Sequence, residues 1–345
     1  MIKQAIELRA NSHLKLLASC WSPPGWMKTN DSIVGGYIKG SPGGKYYKTY
    51  AKYHVKFLDS YKSEGINFWG ITTTNEPFNV VKNAPYIFNN VGLTPEMLRD
   101  FIKLDLGPIL QESDYGVDKL NVLILDDKKQ YLPQYTEVIL TDPETAKFVT
   151  GIAVHWYDDG EDPYEYLSPT HDKFPNYFIM STEATAGYKK DAPNTGQLGN
   201  WTRAEEYAYD MIQDFQRYVT GWIDWTFVSD SLTGGPSWNH GKFDSSILVD
   251  PKMDTYYRNP MFYALGHFSK FIPPNSVYIG HNIQGNSMGI SCATFIDPSQ
   301  QLVIVLLNTN DHQVNLIVNN FTSIAIPISL DSHSITTLVT PSSLP

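Results

Sequence analysis

Six near-continuous runs of apolar residues recur along the first three-quarters of the chain, separated by stretches with helical spacing. None of the runs alternates apolar with polar residues, so each is typical of a strand that is buried on both faces, as in a parallel sheet. Their repetition with intervening helices predicts a (β/α) barrel of the TIM type. The runs cover residues 14–21, 67–76, 121–127, 151–157, 176–183 and 221–228.

Helical spacing of apolar residues fills the intervals between these runs. Thr94 followed by Pro95 predicts a helix start, because threonine caps free N–H groups and proline fits the first helical position. Gly65 predicts the end of the helix before it. The predicted helices cover residues 1–12, 46–63, 94–106, 133–140, 143–148, 203–218 and 259–268.

From residue 273 the pattern changes to short strands separated by turn residues, with no helical stretch between them. We therefore predict two domains, a barrel over residues 1–272 and an all-β sandwich over residues 273–345. The predicted strands of the sandwich cover residues 277–283, 288–295, 302–307, 314–318, 324–328 and 335–339.

Polar and aromatic side chains collect where the barrel strands end. The carboxyl ends of the strands form the catalytic face of such barrels, so these residues are candidates for the site. In the string Asn75-Glu76-Pro77 we expect the proline to hold Glu76 in an extended conformation and to end the strand. The candidates are Trp21, Asn75, Glu76, Asp126, Asp127, His155, Tyr157, Glu183 and Trp225.

Two of these candidates are glutamates, Glu76 and Glu183, and Glu183 lies three βα units after Glu76 along the chain. A single glutamate at a strand end is more often a salt-bridge partner or a helix cap than a catalytic group. Two of them at the mouth of one barrel suit glycoside hydrolysis, in which one carboxylic acid protonates the leaving oxygen and a second carboxylate attacks the sugar.

Composition narrows the function classes. The 345 residues are 42% hydrophobic and 13% aromatic, and the net charge of −10 argues against a nucleic-acid partner. The two cysteines, Cys20 and Cys292, make no disulfide framework. No His/Cys cluster has metal-ligand spacing, and no phosphate loop or Gly-x-Ser-x-Gly motif occurs, so we expect neither metal nor cofactor.

The sequence carries contradictory signals for entry into the secretory route. No apolar run reaches the length of a transmembrane helix, and the start of the chain lacks the apolar core of a signal peptide. Three glycosylation sequons nevertheless point to the secretory route. We expect a front part of the protein to be missing. The sequons begin at Asn30, Asn200 and Asn320.

Longer strings resemble the glucosylceramidases of glycoside hydrolase family 30, over essentially the whole chain from Leu14. The strings are LKLLASCWSPPGWMKTN (14–30), DFIKLDLGP (100–108), LTDPETAK (140–147), GIAVHWY (151–157) and PMFYALGHFSKFIP (260–273). This resemblance implies a (β/α)₈ barrel with catalytic glutamates on its fourth and seventh strands. It also implies hydrolysis of glucosylceramide to glucose and ceramide by double displacement, with Glu183 as nucleophile and Glu76 as general acid/base.

The resemblance further implies a glucose-binding subsite. Asn75 would bind the sugar 2-hydroxyl, and Ser237 stands where the family has a glucose-contacting asparagine. If Glu76 ends the fourth strand, the barrel lacks its first two strands. The resemblance implies a location in the lysosomal or secretory lumen at a membrane surface. It also implies a saposin-like activator protein as partner. The aromatic and imidazole members of the subsite would be Trp21, His155, Tyr157 and Trp225.

Other interpretations stay open from the residues alone. His155 is as well explained as a core histidine, and Trp21 and Trp225 as core aromatics. Asp126 and Asp127, followed by two lysines, favour an ion-paired rim over a catalytic role. Two functional alternatives also stay open: a family member acting on another β-linked glycan, or a truncated, inactive fragment that binds glycan or lipid.

Overall fold

The computed structural model describes residues 1–9, 14–84, 88–157, 162–188, 197–230, 243–319 and 325–341. The chain divides into two compact units, Met1–Thr182 and Glu183–Pro345. Each unit is described by itself. The domain boundary predicted at residues 272/273 stays a prediction.

The first unit alternates strands with helices, as the apolar runs predict. Strands β1 to β5 are neighbours in chain order, and β1/β2, β2/β3 and β3/β4 pair in parallel. The strands are β1 Leu17–Ser19, β2 Gly70–Thr72, β3 Asn121–Lys128, β4 Gly151–His155 and β5 Phe178–Glu183. The helices are α1 Ile2–Leu8, α2 Lys45–Ser63, α3 Pro77–Val81, α4 Pro95–Phe101, α5 Gly107–Glu112, α6 Gln134–Leu140, α7 Pro143–Ala146 and α8 Leu167–Lys173.

Strands β2, β3 and β4 of this sheet are buried on both faces. Every residue of β2 and β4 is buried, and so is all of β3 after its first residue. Gly151 opens β4 where the backbone approaches Phe178 of β5: a Cβ atom there would lie 2.6 Å from the Phe178 ring. Continuous apolar runs therefore mark these strands correctly, because both faces need apolar cover.

Two predicted helix boundaries are confirmed by their capping geometry. The hydroxyl of Thr94 accepts a hydrogen bond from the N–H of Met97 at 3.2 Å, and Pro95 is the first residue of α4. Gly65 follows α2 with φ of +75°, the left-handed conformation that glycine adopts at least cost. Cap chemistry in the sequence thus fixes these ends closely.

The second unit contains two long helices and ten strands or short strand segments among its described residues. Strands β10-β11-β12-β15 form one antiparallel sheet and β13-β14 a second, while β7-β8-β9 form a mixed sheet in which β7 and β8 are parallel and β8 and β9 antiparallel. The helices are α9 Trp201–Phe215 and α10 Pro260–Ser269. The strands are β6 Val219–Trp222, β7 Val228–Asp230, β8 Ile247–Asp250, β9 Thr255–Arg258, β10 Val277–Tyr278, β11 Ile290–Ile296, β12 Gln301–Asn308, β13 Val314–Asn319, β14 Ala325–Leu330 and β15 Ser334–Pro341.

Side chains from both antiparallel sheets enclose the core of the sandwich. This core joins the larger sheet to the β13-β14 hairpin, which confirms the predicted all-β module. Helices α9 and α10 pack against the same module, where Phe215 lies 5.8 Å from Phe295 between ring centroids and Gln216 Nε2 donates to Cys292 O at 2.7 Å. The buried core residues are Cys292, Ile296, Leu302, Ile304, Leu306 and Leu330.

The strand predicted at 221–228 is misplaced. In the structure β6 ends at Trp222, and β7 begins at Val228. Between them the Asp224 carboxyl accepts hydrogen bonds from Tyr207 Oη at 2.8 Å and Ser246 Oγ at 2.7 Å. These side-chain bonds hold the segment in a loop, although its apolar residues resemble those of the true strands.

In the described part of the chain, Cys20 and Cys292 are both free thiols. Among the helices of the same described residues, none combines the length and apolar character needed to cross a bilayer.

His333 joins α9 to the sandwich through two carboxylates. Its Nδ1 lies 2.9 Å from Glu205 Oε1 on α9, and its Nε2 lies 2.8 Å from Asp311 Oδ1 in the β12–β13 loop. The hydrogen bonds to Asp311 and Glu205 raise the pKa of His333 above 6.5. An imidazolium between two carboxylates therefore links these elements most strongly under acidic conditions.

We expect this link to make stability pH-dependent. Because the pKa of His333 is raised in the folded protein, its contribution is complete below 6.5 and is lost as pH rises through the folded value. His333→Gln should therefore lower the melting temperature more at about pH 5 than at about pH 8. His312→Gln controls for loss of another histidine of the module, and an equal loss at both pH values for His333→Gln would contradict the assignment.

Candidate active site

Glu76 occupies a left-handed backbone conformation directly after β2. Its φ and ψ are 41° and 51°, so the extended conformation expected from Pro77 is wrong. The N–H of Asn75 donates to Cys20 O at 3.0 Å and that of Glu76 to Asp126 O at 2.9 Å, which ties the segment to β3 and to the end of β1. Pro77 then starts α3. A left-handed non-glycine residue costs about 1–3 kcal/mol, which these backbone bonds offset.

The carboxyl group of Glu76 is buried and held at both oxygens. Only 5% of the residue is exposed. Oε2 accepts a hydrogen bond from Asn79 Nδ2 at 2.6 Å, and Oε1 lies 3.3 Å from Nδ1 of His155. A buried carboxyl with fixed partners has a defined orientation, as an acid/base catalyst requires.

His155, the last residue of β4, is fully buried and lies between two carboxyl groups. Its Nε2 lies 3.1 Å from Asp126 Oδ1, and its Nδ1 faces Glu76. Because Asp126 accepts at Nε2, that nitrogen carries the ring proton and Nδ1 is presented to Glu76. The histidine is thus a core residue that also belongs to the environment of Glu76.

Asp126 is the centre of this polar network, and the exposed rim position predicted for it and for Asp127 is wrong. Asp126 and Asp127 are 1% and 0% exposed. β3 has an irregular register between Leu125 and Asp127, and Leu125 and Asp126 both have positive φ, 73° and 52°. This bulge, which a linear pattern does not reveal, turns the aspartates inward instead of toward solvent.

Side chains from four other strands converge on the Asp126 carboxylate. Oδ2 accepts from Ser19 Oγ at 2.7 Å and Thr72 Oγ1 at 2.6 Å, and Oδ1 accepts from Thr182 Oγ1 at 2.7 Å as well as from His155. Burial raises the pKa of Asp126, but the bonds from His155, Thr72 and Ser19 outweigh it and hold the pKa below its usual value. One anion therefore connects β1, β2, β4 and β5 to β3.

Removing this anion should destabilise the sheet. We expect Asp126→Ala to lower the free energy of unfolding by about 3–5 kcal/mol, because it leaves several buried donors without their acceptor. Ser19→Ala, which removes one donor, should cost about 0.5–1.5 kcal/mol. Urea unfolding of both variants tests this, and a cost for Asp126→Ala no larger than that for Ser19→Ala would contradict the central role.

Asp127 is a second buried carboxyl close to Glu76. Its oxygens accept from the N–H groups of Phe78 at 3.1 Å and Lys128 at 2.9 Å. Burial, then the negative charge of Glu76, raises the pKa of Asp127 to about 7. Lys128 and Lys129, the predicted rim cations, are also buried, at 6% and 0% exposure.

The remaining predicted residues of the first unit lie at the ends of the same strands. Asn75 is 2% exposed, and among the described residues its Nδ2 has no hydrogen-bond partner. Trp21 packs edge-on against Phe88 with ring centroids 5.4 Å apart. Tyr157 lies edge-on to His155, 6.0 Å between centroids. Asn75 therefore offers a desolvated donor beside Glu76, as a ligand hydroxyl group would need.

Glu183 ends β5 and is 7% exposed. The preceding residue, Thr182, donates to Asp126, so the strand that carries Glu183 is bonded to the network that includes His155. Within the second unit, Trp225 N donates to Ala184 O at 2.8 Å, which fixes Trp225 next to the end of β5. The roles of Glu183 and Trp225 stay predictions, and Ser237 lies outside the described residues.

Sequence reasoning missed Asn79. A polar residue three positions after a glutamate, at the start of a helix that begins with proline, was the available signal. It was not decisive, because the left-handed conformation of Glu76 sets the direction of its side chain and is not visible in the sequence.

Comparison of the sequence with known protein families identifies the family of this chain. Two protein-family models match the chain. The model described as "Glycosyl hydrolase family 30 TIM-barrel domain" matches residues 1–272, and the model described as "Glycosyl hydrolase family 30 beta sandwich domain" matches residues 275–338. The chain belongs to glycoside hydrolase family 30. Its fold class is therefore the predicted one, a (β/α) barrel of the TIM type followed by a β-sandwich.

Two curated relatives are similar to this protein over most of the chain. It is 42% identical over 312 residues to putative glucosylceramidase 4 of Caenorhabditis elegans, covering 90% of this chain and 59% of that relative. It is 40% identical over 322 residues to lysosomal acid glucosylceramidase of Mus musculus, covering 93% of this chain and 61% of that relative. The chain thus spans about three-fifths of the length of these curated relatives.

A solved structure of the same architecture covers nearly the whole chain. SrfJ from Salmonella typhimurium superposes with a TM-score of 0.87 at 25% identity, covering 99% of this chain and 72% of that one. The order of strands and helices described above is therefore shared with a solved structure whose sequence has diverged widely.

Proposed function

We propose that the protein is a retaining β-glycosidase that hydrolyses the β-glucosyl linkage of glucosylceramide to glucose and ceramide. In this proposal Glu183 is the nucleophile and Glu76 the general acid/base. The observation that carries it is the environment of Glu76, a buried carboxyl held by Asn79 and His155. A surface salt bridge or simple helix cap needs no such burial.

The reaction follows from two carboxyl groups with different protonation. Glu183, ionised, attacks the anomeric carbon while Glu76 gives its proton to the glycosidic oxygen, so ceramide leaves with that proton. Glu76, now a carboxylate, takes a proton from water, and the resulting hydroxide oxygen displaces Glu183 from the sugar. The two carboxyl groups should lie about 5–5.5 Å apart for this retaining course.

Substrate binding is proposed for the polar and aromatic residues near the glutamates. The Nδ2 donor of Asn75 is available to the sugar 2-hydroxyl, since it has no partner among the described residues. The rings of Trp21, Tyr157 and Trp225 offer apolar platforms to the faces of the glucose. Ser237 would contact the glucose in place of the family's asparagine.

The substrate and its location are proposed from the relatives. The mouse relative is named as a lysosomal acid glucosylceramidase, which supports an acidic lumen as the working compartment. Because ceramide stays in a lipid layer, the enzyme would work at a membrane surface, with a saposin-like activator protein as its partner. Sandwich stabilisation by the protonated form of His333 suits that acidity.

Hydrolysis of a panel of β-glycosides tests the proposal. We expect the protein that carries this chain to release glucose from glucosylceramide in anionic vesicles, and to cleave a fluorogenic β-glucoside, faster under acidic than neutral conditions. Faster cleavage of a β-xyloside or of β-1,6-glucan would move the assignment to another glycan within the family. Binding of glucosylceramide without any product would identify a non-catalytic protein.

A further inference from the structure

We infer that Asn79 is a positioning residue for the acid/base: its side-chain amide holds Oε2 of Glu76 and leaves Oε1, which faces His155, to carry the transferable proton. The inference rests on the proposed function and assigns a task to a residue that the resemblance to family 30 did not identify.

The backbone fixes Asn79 in one place. Its N–H lies 3.2 Å from Glu76 O, and its carbonyl accepts from Ala84 N at 2.9 Å. The residue is 1% exposed, so water does not compete with Glu76 for the hydrogen bonds of its side-chain amide. The Nδ2–Oε2 distance of 2.6 Å is short for an N–H donor, as expected for a strong bond to a carboxyl oxygen.

Helix capping does not explain this contact. Glu76 is the N-cap of α3 and Asn79 its third residue, which is the position from which a capping-box side chain reaches back to the N-cap N–H. Here that N–H donates to Asp126 O instead. The amide of Asn79 is thus directed to the Glu76 carboxyl and not to the backbone.

The chemistry of the amide assigns different tasks to the two oxygens. The NH₂ group only donates, so it binds a lone pair of Oε2 in both the acid and the carboxylate form of Glu76. Oε1 faces Nδ1 of His155, whose Nε2 proton is committed to Asp126. The proton of the acid form therefore sits on Oε1.

A donor to the carboxyl also adjusts how readily the proton leaves, because a hydrogen bond to the charged form favours it. The other titratable groups of the first unit that face Glu76 are His155 from β4 and Asp127 from β3, whose pKa the charge of Glu76 raises. The proposed mechanism adds the carboxylate of Glu183. Asn79 is the neutral donor that opposes the negative charge of these carboxyl groups.

The test is the pH dependence of kcat/KM for aryl β-glucosides in Asn79→Ala and Asn79→Asp. We expect the alkaline limb to move up by about one to two pH units in Asn79→Ala, because the hydrogen bond from Asn79 to the Glu76 carboxylate is lost. The limb should move at least as far in Asn79→Asp, because this variant also places a second carboxylate beside Glu76. Near the optimum, kcat/KM should fall about tenfold for a poor leaving group and little for an activated one, since only the former needs the acid.

Asn90→Ala is the matched control, because Asn90 is an equally buried asparagine whose Oδ1 accepts from Gly35 N and does not contact Glu76. Its alkaline limb should stay in place. A lower melting temperature with an unchanged profile in both Asn79 variants would overturn the inference and leave the proposed function standing. Lack of β-glucosidase activity in the unmodified protein would instead contradict the proposed function itself.

A measurement on the unmodified protein keeps the inference testable if the variants do not fold. The side-chain amide ¹⁵N resonance of Asn79 should shift over the same pH range as the alkaline limb, because the amide donates to the titrating carboxyl. A resonance that does not change over that range would overturn the inference.

Discussion

Replacing Glu183 by glutamine should lower kcat for β-glucoside hydrolysis by at least about 10⁴-fold, since the amide is not a nucleophile and no glycosyl–enzyme intermediate can form. Glutamine keeps nearly the shape of glutamate at a position that is 7% exposed, so the fold should be retained. Steady-state rates with a fluorogenic β-glucoside under acidic conditions measure the effect, and the melting temperature checks the fold.

Glu144→Gln is the matched control for the Glu183 variant. Glu144 is an exposed glutamate that forms a salt bridge with Lys147, and it has no place in the proposed mechanism. Its variant should keep the rate of the unmodified protein. Comparable rates for Glu183→Gln and Glu144→Gln would contradict the assignment of Glu183.

Replacing Glu76 by glutamine should cost about 10²–10⁴-fold in kcat/KM for substrates with poor leaving groups, and much less for activated aryl glucosides. The difference arises because an activated phenolate leaves without a proton. Added azide should then raise the turnover of the activated substrate and yield β-glucosyl azide, since azide attacks the intermediate without base assistance. Product analysis by mass spectrometry identifies the azide adduct.

Equal losses on both kinds of substrate, without azide rescue, would show that Glu76 is not the acid/base. The same pair of substrates applied to Asn79→Ala should give the same pattern on a smaller scale. This would link the two residues in one step of the reaction, because both affect only the transfer of the proton.

Much of this fold is predictable because burial leaves a direct trace in the sequence. β3, β4 and β5 are continuous apolar runs, and their observed bounds agree closely with the predicted ones. Helix α4 begins where its threonine–proline pair predicts it. The sandwich strands also follow from their short runs and turn residues.

Features set by backbone geometry and by side-chain networks are not predictable in this way. The extended conformation expected for Glu76 fails because tertiary hydrogen bonds stabilise a left-handed residue that local preference disfavours. The rim position predicted for Asp126 is wrong because nothing in a linear pattern marks a bulge. The segment around Trp225 has the apolar residues of a strand, but side-chain hydrogen bonds to Asp224 hold it in a loop.

These failures all concern the environment of the site, while its candidate glutamates were identified from their positions at strand ends. The polar network explains the difference. A glutamate at a strand end is visible as a residue type, but its partners, Asn79, His155 and Asp126, come from three separate elements. Only the folded chain shows which of them meet.

Covalent trapping tests the central claim most directly, because it asks which residue attacks the sugar. A 2-deoxy-2-fluoro-β-glucoside with a good leaving group slows the breakdown of the glycosyl–enzyme intermediate more than its formation, so the intermediate accumulates. After proteolysis, mass spectrometry should find the fluoroglucosyl group on the peptide that contains Glu183, with fragment ions that assign it to this carboxylate. Attachment to any other residue, or turnover of β-glucosides without a trapped intermediate, would contradict the account.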